Sequence, residues 1–308
     1  MNQKQNGWIL YSIAAAFFWG VWGVIAKLIS DDISPFANHF LFTVGMLLTL
    51  PFVIKKCVAV KPDMKGIIWG LLAGLLAVAG NIAVYKSFST GGMAAIVIPV
   101  TNLYPMITIV IAISFLKEKL NWINVIGILL AIPAVIILSG ESLLFDNPAA
   151  FFEKFTLNSW LIFAIVALFF WGVFSAAQKV TTNYISTEWS YASFIVSSFL
   201  ITVVFWVLGF IDFGFTAKTF SLGTLAGALN GLGVLASFAA YNAEGKASKV
   251  TTIAGSLQPV FTIFLAYIFL SEKLTVIELG GIAIAIIAAL ALSYEKQKVL
   301  PLATVKNI

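Results

Sequence analysis

The sequence FFWGV at residues 17–21 returns as FFWGV at residues 169–173, and FLKEKL at residues 115–120 returns as FLSEKL at residues 269–274. The first pair lies 152 residues apart and the second pair 154 residues apart, so the two offsets agree to within a short insertion. Two matches in nearly the same register predict one duplicated unit rather than two chance similarities. The fold is therefore expected to consist of two homologous halves.

The composition places both halves in a membrane. Of the 308 residues, 61% are hydrophobic and 10% are charged, and the mean hydropathy is +1.02. A soluble domain needs a more polar surface than this composition provides. Apolar stretches of about 20 residues, bounded by charged or turn residues, predict ten transmembrane helices. These are expected near residues 8–30, 36–54, 66–89, 92–116, 121–140, 157–180, 187–211, 221–244, 247–270 and 275–294.

The ten helices divide into two groups of five. We expect a first repeat at residues 1–140, a linker at 141–156, a second repeat at 157–294 and a cytoplasmic tail at 295–308. Because five is an odd number of spans, the second repeat crosses the membrane in the opposite direction to the first. The predicted fold is an all-α membrane protein with two inverted five-helix repeats, which is an architecture of transporters.

The placement of the lysines predicts the orientation. With both termini in the cytoplasm, thirteen of the eighteen lysines lie on the cytoplasmic side, as the positive-inside rule requires. This bias explains the net charge of +5 without a nucleic-acid partner, because no basic stripe is interleaved with side chains that read bases. The expected partner of the lysine-rich rim is the lipid bilayer.

Two interrupted helices mark the predicted transport site. The fourth helix carries TNLYP at residues 101–105 near its middle, and the ninth carries SLQP at residues 256–259. A mid-helix proline removes one backbone hydrogen bond, which predicts free carbonyl acceptors at Thr101 and Gly255. An interrupted helix beside an amide side chain, in both halves, predicts a binding site at the midplane. The alternative for the prolines is a kink that only shapes packing. The substrate-binding residues predicted here are Thr101, Asn102, Tyr104, Ser256 and Gln258, with Pro105 and Pro259 as kink or gating residues.

Other polar and aromatic residues complete the predicted site. Trp19 and Trp171 lie about halfway along their helices rather than at the interfaces that tryptophan prefers, so we expect them to line a cavity, with core packing as the alternative. Tyr85 and Tyr241, 156 residues apart, close the third and eighth helices, where anchoring at the interface is the alternative. The remaining predicted substrate-binding residues are Asn81, Gln178 and Asn230.

Four helices carry packing signals. The third and eighth contain glycines at a spacing of four, which let backbones approach closely, and we expect these two helices to pack on each other. Their glycines are Gly66, Gly70 and Gly74, and Gly223, Gly227 and Gly231. The fifth and tenth helices have no polar side chain at residues 127–138 and 280–292. We expect them at the periphery, as the candidate contact of a homodimer.

The FLKEKL and FLSEKL segments, each preceded by a mid-helix proline and followed by a glycine-bearing aliphatic helix, resemble the EamA-type repeat of the drug/metabolite transporter superfamily. The resemblance covers nearly the whole chain as two tandem copies. It implies a ten-helix inverted-repeat fold, a cavity lined by all helices except the fifth and tenth, and alternating access for small metabolites in a cell (bacterial inner or plasma) membrane. Glu118 and Glu272 match the repeat pattern, and we expect them to order turns at the membrane surface.

Absent residue types narrow the cargo. The chain has no arginine to clamp a phosphate or carboxylate, which disfavours a multiply charged phosphate ester as cargo. The resemblance to the superfamily adds a second exclusion, because its small four-helix multidrug members use a carboxylate deep in the first helix to exchange protons for cationic drugs. The first helix here has no Asp or Glu between Trp8 and Ser30, so proton-coupled antiport of organic cations is disfavoured. The single histidine, His39, is a candidate for titration near physiological pH, with a hydrogen-bonded structural histidine as the alternative. The predicted cargo is a small neutral or zwitterionic metabolite that is amino-acid-like or sugar-like. A flippase for a lipid-linked head group is the alternative.

Catalysis is not expected from these residues. One histidine and one cysteine, Cys57, supply neither a catalytic triad nor a set of metal ligands, so the sequence predicts no enzyme activity, no metal and no cofactor. No ring of charged residues or carbonyl filter indicates a channel.

Overall fold

The computed structural model describes residues 7–58, 61–116, 121–138, 158–243, 247–292 and 294. Within these ranges the chain forms α-helices and no strands. The helices are α1 (Gly7–Leu28), α2 (Pro35–Thr49), α3 (Pro51–Val58), α4 (Met64–Ser89), α5 (Ala94–Thr101), α6 (Pro105–Leu116), α7 (Trp122–Leu138), α8 (Ser159–Thr181), α9 (Thr187–Val207), α10 (Ala217–Asn242), α11 (Ala247–Phe269) and α12 (Val276–Leu292). The predicted linker at 141–156 and the predicted tail at 295–308 lie outside the described residues.

These twelve helices correspond to the ten predicted spans because two spans are interrupted. The second span consists of α2 and α3, which meet at a 57° bend, and the fourth consists of α5 and α6. Six spans, the fourth among them, are long and apolar enough to cross a membrane, and the bent pair adds a seventh. The shorter apolar segments at Trp122–Leu138, Ile253–Phe269 and Val276–Leu292 complete the set. The predicted all-helical fold with ten spans is confirmed.

Side-chain caps begin the second and third spans of each half at matched positions. The Ser34 hydroxyl accepts a hydrogen bond from the first turn of α2, and the Ser186 hydroxyl does the same for α9. Asp63 caps α4, and Thr216 caps α10 in a reciprocal capping box. Each cap satisfies a backbone N–H that has no partner inside its helix. The duplication therefore extends to the residues that start the helices.

Each half packs mainly on the other half. Helix α4 lies along α8 and α9, and the matched helix α10 lies along α1 and α2. The glycine rows face these partners: a Cβ on Gly70 would lie 2.7 Å from Ser193 Cβ of α9, and a Cβ on Gly227 would collide with the backbone of Phe42 in α2. The predicted close packing is present, but the expectation that α4 and α10 pack on each other is wrong. Each row of glycines instead allows close packing against a helix of the opposite half.

Polar contacts join the second spans of the two halves near both of their ends. His39 Nε2 of α2 lies 3.2 Å from Thr202 Oγ1 of α9, and the Tyr191 hydroxyl of α9 lies 2.6 Å from Thr49 Oγ1 of α2. His39 matches Tyr191 and Thr202 matches Thr49 at offsets of 152 and 153 residues, so one contact is the symmetry equivalent of the other. His39 is fully buried here, away from the cavity described below.

Helices α7 and α12 pack against each other. A Cβ on Gly127 would lie 2.7 Å from the Leu292 nitrogen, and a Cβ on Gly281 would lie 2.7 Å from Ile137 Cγ2. Other side chains of both helices, such as Leu129 and Ile287, are more than half exposed. The mutual contact and the exposed apolar faces agree with a peripheral position. The homodimer through these helices stays a prediction.

Candidate functional site

A cavity of about 50 Å³, counted as the space that the centre of a water-sized sphere can reach, lies between the two halves. Among the described residues that line it, none carries a formal charge. Helices α1, α4, α8, α9, α10 and α11 contribute to the wall, together with the turn between α5 and α6. The wall is formed by Trp19, Trp22, Ala77, Asn81, Tyr104, Trp171, Phe174, Ser175, Gln178, Phe194, Asn230, Val234, Ser237, Tyr241, Val250, Ala254 and Gln258.

The structure brings most of the residues chosen from the sequence into this wall. Those in the wall are Trp19, Asn81, Tyr104, Trp171, Gln178, Asn230, Tyr241 and Gln258. Four others, Tyr85, Thr101, Asn102 and Ser256, are buried but do not line the cavity. Helix α2 contributes no described residue to the wall, although the family resemblance implied that it would.

Glycines of the opposite half hold both tryptophans of the repeated motif. A Cβ on Gly233 would lie 2.6 Å from Trp19 Nε1, and a Cβ on Gly80 would collide with the indole of Trp171. Gly80 and Gly233 are 153 residues apart, so the two contacts are symmetry equivalents. Each indole approaches the helix backbone closely because glycine has no side chain there.

The glycine after each tryptophan has a second partner, the proline-bearing span of the opposite half. A Cβ on Gly172 would lie 2.8 Å from the Tyr104 carbonyl oxygen, and a Cβ on Gly20 would lie 3.3 Å from that of Gln258. Thr108 Oγ1 donates to the Gly172 carbonyl at 2.9 Å, and its symmetry equivalent Thr262 lies 3.4 Å from the Gly20 carbonyl. The Trp-Gly pair thus joins two spans of the other half at the cavity wall.

The two matched tyrosines lie in different surroundings. Trp22 Nε1 donates to the Tyr85 hydroxyl at 3.3 Å, and Tyr85 is 1% exposed, packed outside the cavity. Tyr241 instead lines the cavity beside Ser175 and Ser237. Tyr241 is one residue from the end of α10, so the cavity reaches toward the end of the bundle where α8 and α10 finish. It does not reach the end marked by Tyr85.

Some hydrogen-bonding groups in the cavity wall already have partners within the protein. Trp171 Nε1 donates to Asn81 Oδ1 at 3.2 Å, a bond between the two halves. Ser237 Oγ donates to Gln178 Oε1 at 3.5 Å, whereas Gln178 Nε2 is buried with no partner among the described residues. A buried amide N–H without a partner can donate to a solute acceptor. Lys179 Nζ lies 6.0 Å from the centre of the Tyr241 ring.

The two proline-bearing spans differ. The fourth span ends as α5 at Thr101 and restarts at Pro105, and it carries a second proline, Pro99. The Thr101 carbonyl accepts from the Tyr104 N–H at 3.1 Å, so the expectation of a free acceptor there is wrong. Helix α11 continues through Pro259. Because proline has no N–H, the Gly255 carbonyl lacks the usual donor four residues later, and the free acceptor expected there stays a prediction.

Sequence reasoning missed several wall residues, namely Trp22, Phe174, Ser175, Phe194 and Ser237. Trp22 and Phe174 occupy the same position after the Trp-Gly pair of their own repeat, and they are 152 residues apart. Both repeats carry a bulky aromatic side chain three residues after the motif tryptophan, and this repetition could have identified the position from the sequence. Trp22 lies 5.9 Å from Trp171 between ring centres.

Glu272 of the FLSEKL segment joins the two halves. Its carboxylate accepts from the Ala94 N–H and the Ala95 N–H, both at 2.9 Å, at the start of α5. Ser271, just before it, has a φ of 55°, a conformation that is uncommon for residues other than glycine. Glu272 therefore caps a helix of the opposite half rather than only ordering its own turn. Its counterpart Glu118 lies outside the described residues.

Comparison with known proteins agrees with the duplication. Residues 6–140 and residues 158–294 each match the EamA-like transporter family. An uncharacterized transporter of Archaeoglobus fulgidus is 23% identical over 292 residues, which cover 92% of this chain and 97% of that protein. An uncharacterized protein of Methanocaldococcus jannaschii is 31% identical over 131 residues, which are 42% of this chain and 95% of that protein. A solved crystal structure superposes with a TM-score of 0.62 at 16% identity, covering 94% of this chain and 96% of that chain, and has the same fold.

Proposed function

Because the chain belongs to the EamA-like transporter family of the drug/metabolite transporter superfamily, we propose that it moves a small neutral or zwitterionic metabolite across the membrane by alternating access. The cargo is amino-acid-like or sugar-like. The observation that carries this proposal is the cavity between the halves, whose described lining consists of amides, hydroxyls, aromatic rings and small apolar side chains without a formal charge.

The chemistry of the wall favours a cargo without net charge. Moving an unpaired ion out of water into an apolar site is strongly unfavourable, and the described wall offers no counter-ion. Neutral polar groups can instead pair with Gln178 Nε2, which lacks a partner among the described residues, and with the hydroxyls of Ser175 and Ser237. The apolar part of a solute can lie against the faces of Trp19 and Trp171.

The inverted repeat provides the second state that alternating access needs. In the present state Tyr241 lines the cavity and its equivalent Tyr85 is packed against Trp22. If the halves exchange conformations, the Tyr85 end opens while the Tyr241 end closes, and the binding residues remain between them. With the N-terminus in the cytoplasm, as the lysines predict, the present cavity faces the cytoplasm.

The first test is a screen of the purified protein in detergent for solutes that raise its melting temperature. A solute that binds only the folded state raises stability in a concentration-dependent way. The panel contains amino acids, sugars, nucleotide sugars and lipid head-group analogues. We expect a shift from a neutral or zwitterionic solute. A shift from lipid head-group analogues alone would replace this proposal with a flippase.

Two variants locate the binding site. Gln178→Ala removes a buried wall amide, and Asn183→Ala removes an exposed amide in the turn after α8. The solute-induced shift should fall at least severalfold in Gln178→Ala and stay unchanged in Asn183→Ala. An unchanged response in Gln178→Ala would place the solute elsewhere. Gln258→Ala repeats this test with a wall amide of α11.

A further inference from the structure

The indole nitrogens of the two motif tryptophans are held in the same way. A Cβ on Gly80 would lie 2.5 Å from Trp171 Nε1, and a Cβ on Gly233 would lie 2.6 Å from Trp19 Nε1. Both tryptophans line the cavity. The two N–H groups therefore have matched positions, each beside a helix of the opposite half.

The residues that follow these glycines differ between the halves. Trp171 Nε1 donates to Asn81 Oδ1 at 3.2 Å, and Asn81 directly follows Gly80. The residue at the matched position, 153 residues later, is Val234, whose side chain cannot accept a hydrogen bond. Trp19 Nε1 makes no hydrogen bond to a described residue. The duplicated site thus has one indole N–H with a partner in the protein and one without.

The unpaired indole N–H is not the only free donor in this part of the wall. The matched geometry directs Trp19 Nε1 toward the side chain of Val234, which itself lines the cavity. Ser237 donates to Gln178 Oε1 at 3.5 Å, whereas Gln178 Nε2 has no partner among the described residues. Gly233 and Ser237, which these two side chains contact, are one helical turn apart, roughly 6 Å along α10. Two unpaired N–H donors therefore lie along one turn of α10.

Two free donors in one wall favour a cargo group that only accepts hydrogen bonds. Polar groups away from water almost always have a partner, so these donors indicate that a bound solute supplies acceptors. Carbonyl and carboxylate oxygens accept without adding a proton, whereas a sugar hydroxyl brings a donor that needs a partner of its own. Hydrogen bonds to a carboxylate are also stronger than those to a neutral acceptor. The wall therefore favours an amino-acid-like cargo over a sugar-like one.

Given the transport function proposed above, on which this step rests, we propose that Trp19 determines specificity: its indole N–H binds a carboxylate or carbonyl oxygen of an amino-acid-like cargo. Val234 makes this possible because it leaves the donor without an acceptor inside the protein. Asn81 has the opposite effect in the other half, where it occupies the N–H of Trp171. The cargo is therefore held in one orientation although the site is duplicated.

Val234→Asn tests this role, because it gives Trp19 the internal acceptor that Trp171 already has. The probes are the common L-amino acids, each tested alone, and D-glucose, and the readout is the melting temperature of the whole chain in detergent. We expect an amino acid to raise the melting temperature, and Val234→Asn to increase the concentration needed for half of this shift at least severalfold. The indole stays in place, so the loss cannot come from missing ring packing. A response to D-glucose alone would overturn the proposal.

A double variant distinguishes competition for the indole N–H from a general disturbance of the wall. Trp19→Phe keeps an aromatic ring but removes the donor, so it should also raise the half-effect concentration severalfold. Adding Val234→Asn to Trp19→Phe should have little further effect, because the new amide has no indole N–H to occupy. Fully additive losses would contradict the proposed competition. Trp122→Phe, at a side chain on α7 that is 71% exposed, is the control and should bind like the unmodified protein.

NMR of the protein with ¹⁵N-labelled tryptophan observes the donor directly. The Trp19 indole signal is identified by its loss in Trp19→Phe, and we expect it to shift with the amino acid that raises the melting temperature. These two measurements decide the question even if Val234→Asn does not fold. A Trp19 signal that stays in place while the melting temperature rises would overturn the role of Trp19 and leave the proposed function standing. Failure of the proposed function gives a different pattern, in which no solute raises the melting temperature.

Discussion

Two glycines determine where the cavity tryptophans lie. Only glycine at positions 233 and 80 leaves room for the indoles of Trp19 and Trp171, because a Cβ at either position would overlap the ring. The indoles in turn form part of the cavity wall. The shape of the site is thus set by residues that do not themselves line it.

Replacing Gly233 by alanine should therefore displace Trp19. We expect a loss of about 1–3 kcal/mol in the free energy of unfolding, the usual effect of overpacking, together with weaker solute binding. Thermal unfolding in detergent and the solute-induced shift measure the two effects. Gly280→Ala, which meets no atom, should leave stability unchanged or raise it slightly through its better helix propensity. Equal behaviour of the two variants would contradict the packing argument.

The indole nitrogen of Trp171 has a separate role from its ring. Trp171→Phe keeps an aromatic face but removes the donor to Asn81 Oδ1, which lies in the wall. Leaving that buried acceptor unpaired should cost about 1–3 kcal/mol in unfolding free energy. Trp122→Phe makes the same change on α7 at a side chain that is 71% exposed, where we expect less than about 0.5 kcal/mol. Chemical denaturation of both variants compares the losses.

Single residues show what the sequence could and could not predict about the site. Trp19 and Trp171 were found because they lie away from the depth that tryptophan prefers. The mid-helix proline beside Asn102 predicts that this side chain binds the substrate. However, the helix stops at Thr101, and beyond that residue helical periodicity no longer determines where a side chain points. Its bond to Ile98 turns it away from the cavity.

Matched sequences also folded into unequal elements. Pro105 and Pro259 align in the repeat, yet the fourth span breaks and α11 continues. The fourth span has Pro99 as well, so two of its N–H groups are missing within seven residues, whereas the matched position 253 is isoleucine. The ten spans followed from hydropathy. The partners of the glycine rows did not, because a row of small residues shows that a helix packs closely but not on which neighbour.

The bond from Glu272 to the start of α5 is a contact between elements of different halves. Its two accepted hydrogen bonds satisfy N–H groups that have no partner within α5, and its charge lies at the positive end of the helix dipole. The positive φ of Ser271 directs the chain into this contact.

Glu272→Gln should weaken this contact while preserving side-chain size. An amide has one oxygen and no charge, so one of the two N–H groups loses its acceptor, and we expect a loss of about 1–2 kcal/mol in unfolding free energy. Asp212→Asn removes the same charge from an exposed turn, where the carboxylate accepts from the Gly214 N–H, and should change stability by less than about 0.5 kcal/mol. Thermal unfolding at one pH and salt concentration distinguishes them.

The whole molecule is asymmetric although its sequence is duplicated, and this asymmetry can be measured by labelling. Ser237 lines the cavity, whereas its repeat equivalent Val84, 153 residues earlier, is fully buried outside it. In a Cys57→Ala background, which has no other thiol, Ser237→Cys should react with a membrane-impermeant maleimide from the cytoplasmic side. Val84→Cys should be protected from both sides in this state.

The same pair tests exchange between states. A solute that binds and shifts the protein to the outward-open state should increase labelling of Val84→Cys from the outside. It should also decrease labelling of Ser237→Cys. Parallel changes in the two variants would argue against alternating access. Labelling of Ser237→Cys only from the outside would reverse the orientation predicted from the lysines.

Because each half packs mainly on the other half, the order of synthesis limits when the helices can reach their final contacts. Helices α1 and α2 enter the bilayer early in translation, but α10, the helix along which they lie, ends at Asn242. Until the ribosome has passed that point, the surfaces of α1 and α2 that α10 will cover face lipid or the membrane insertion machinery. The nascent first half therefore cannot complete its packing when its own fifth span emerges, and assembly waits for most of the chain.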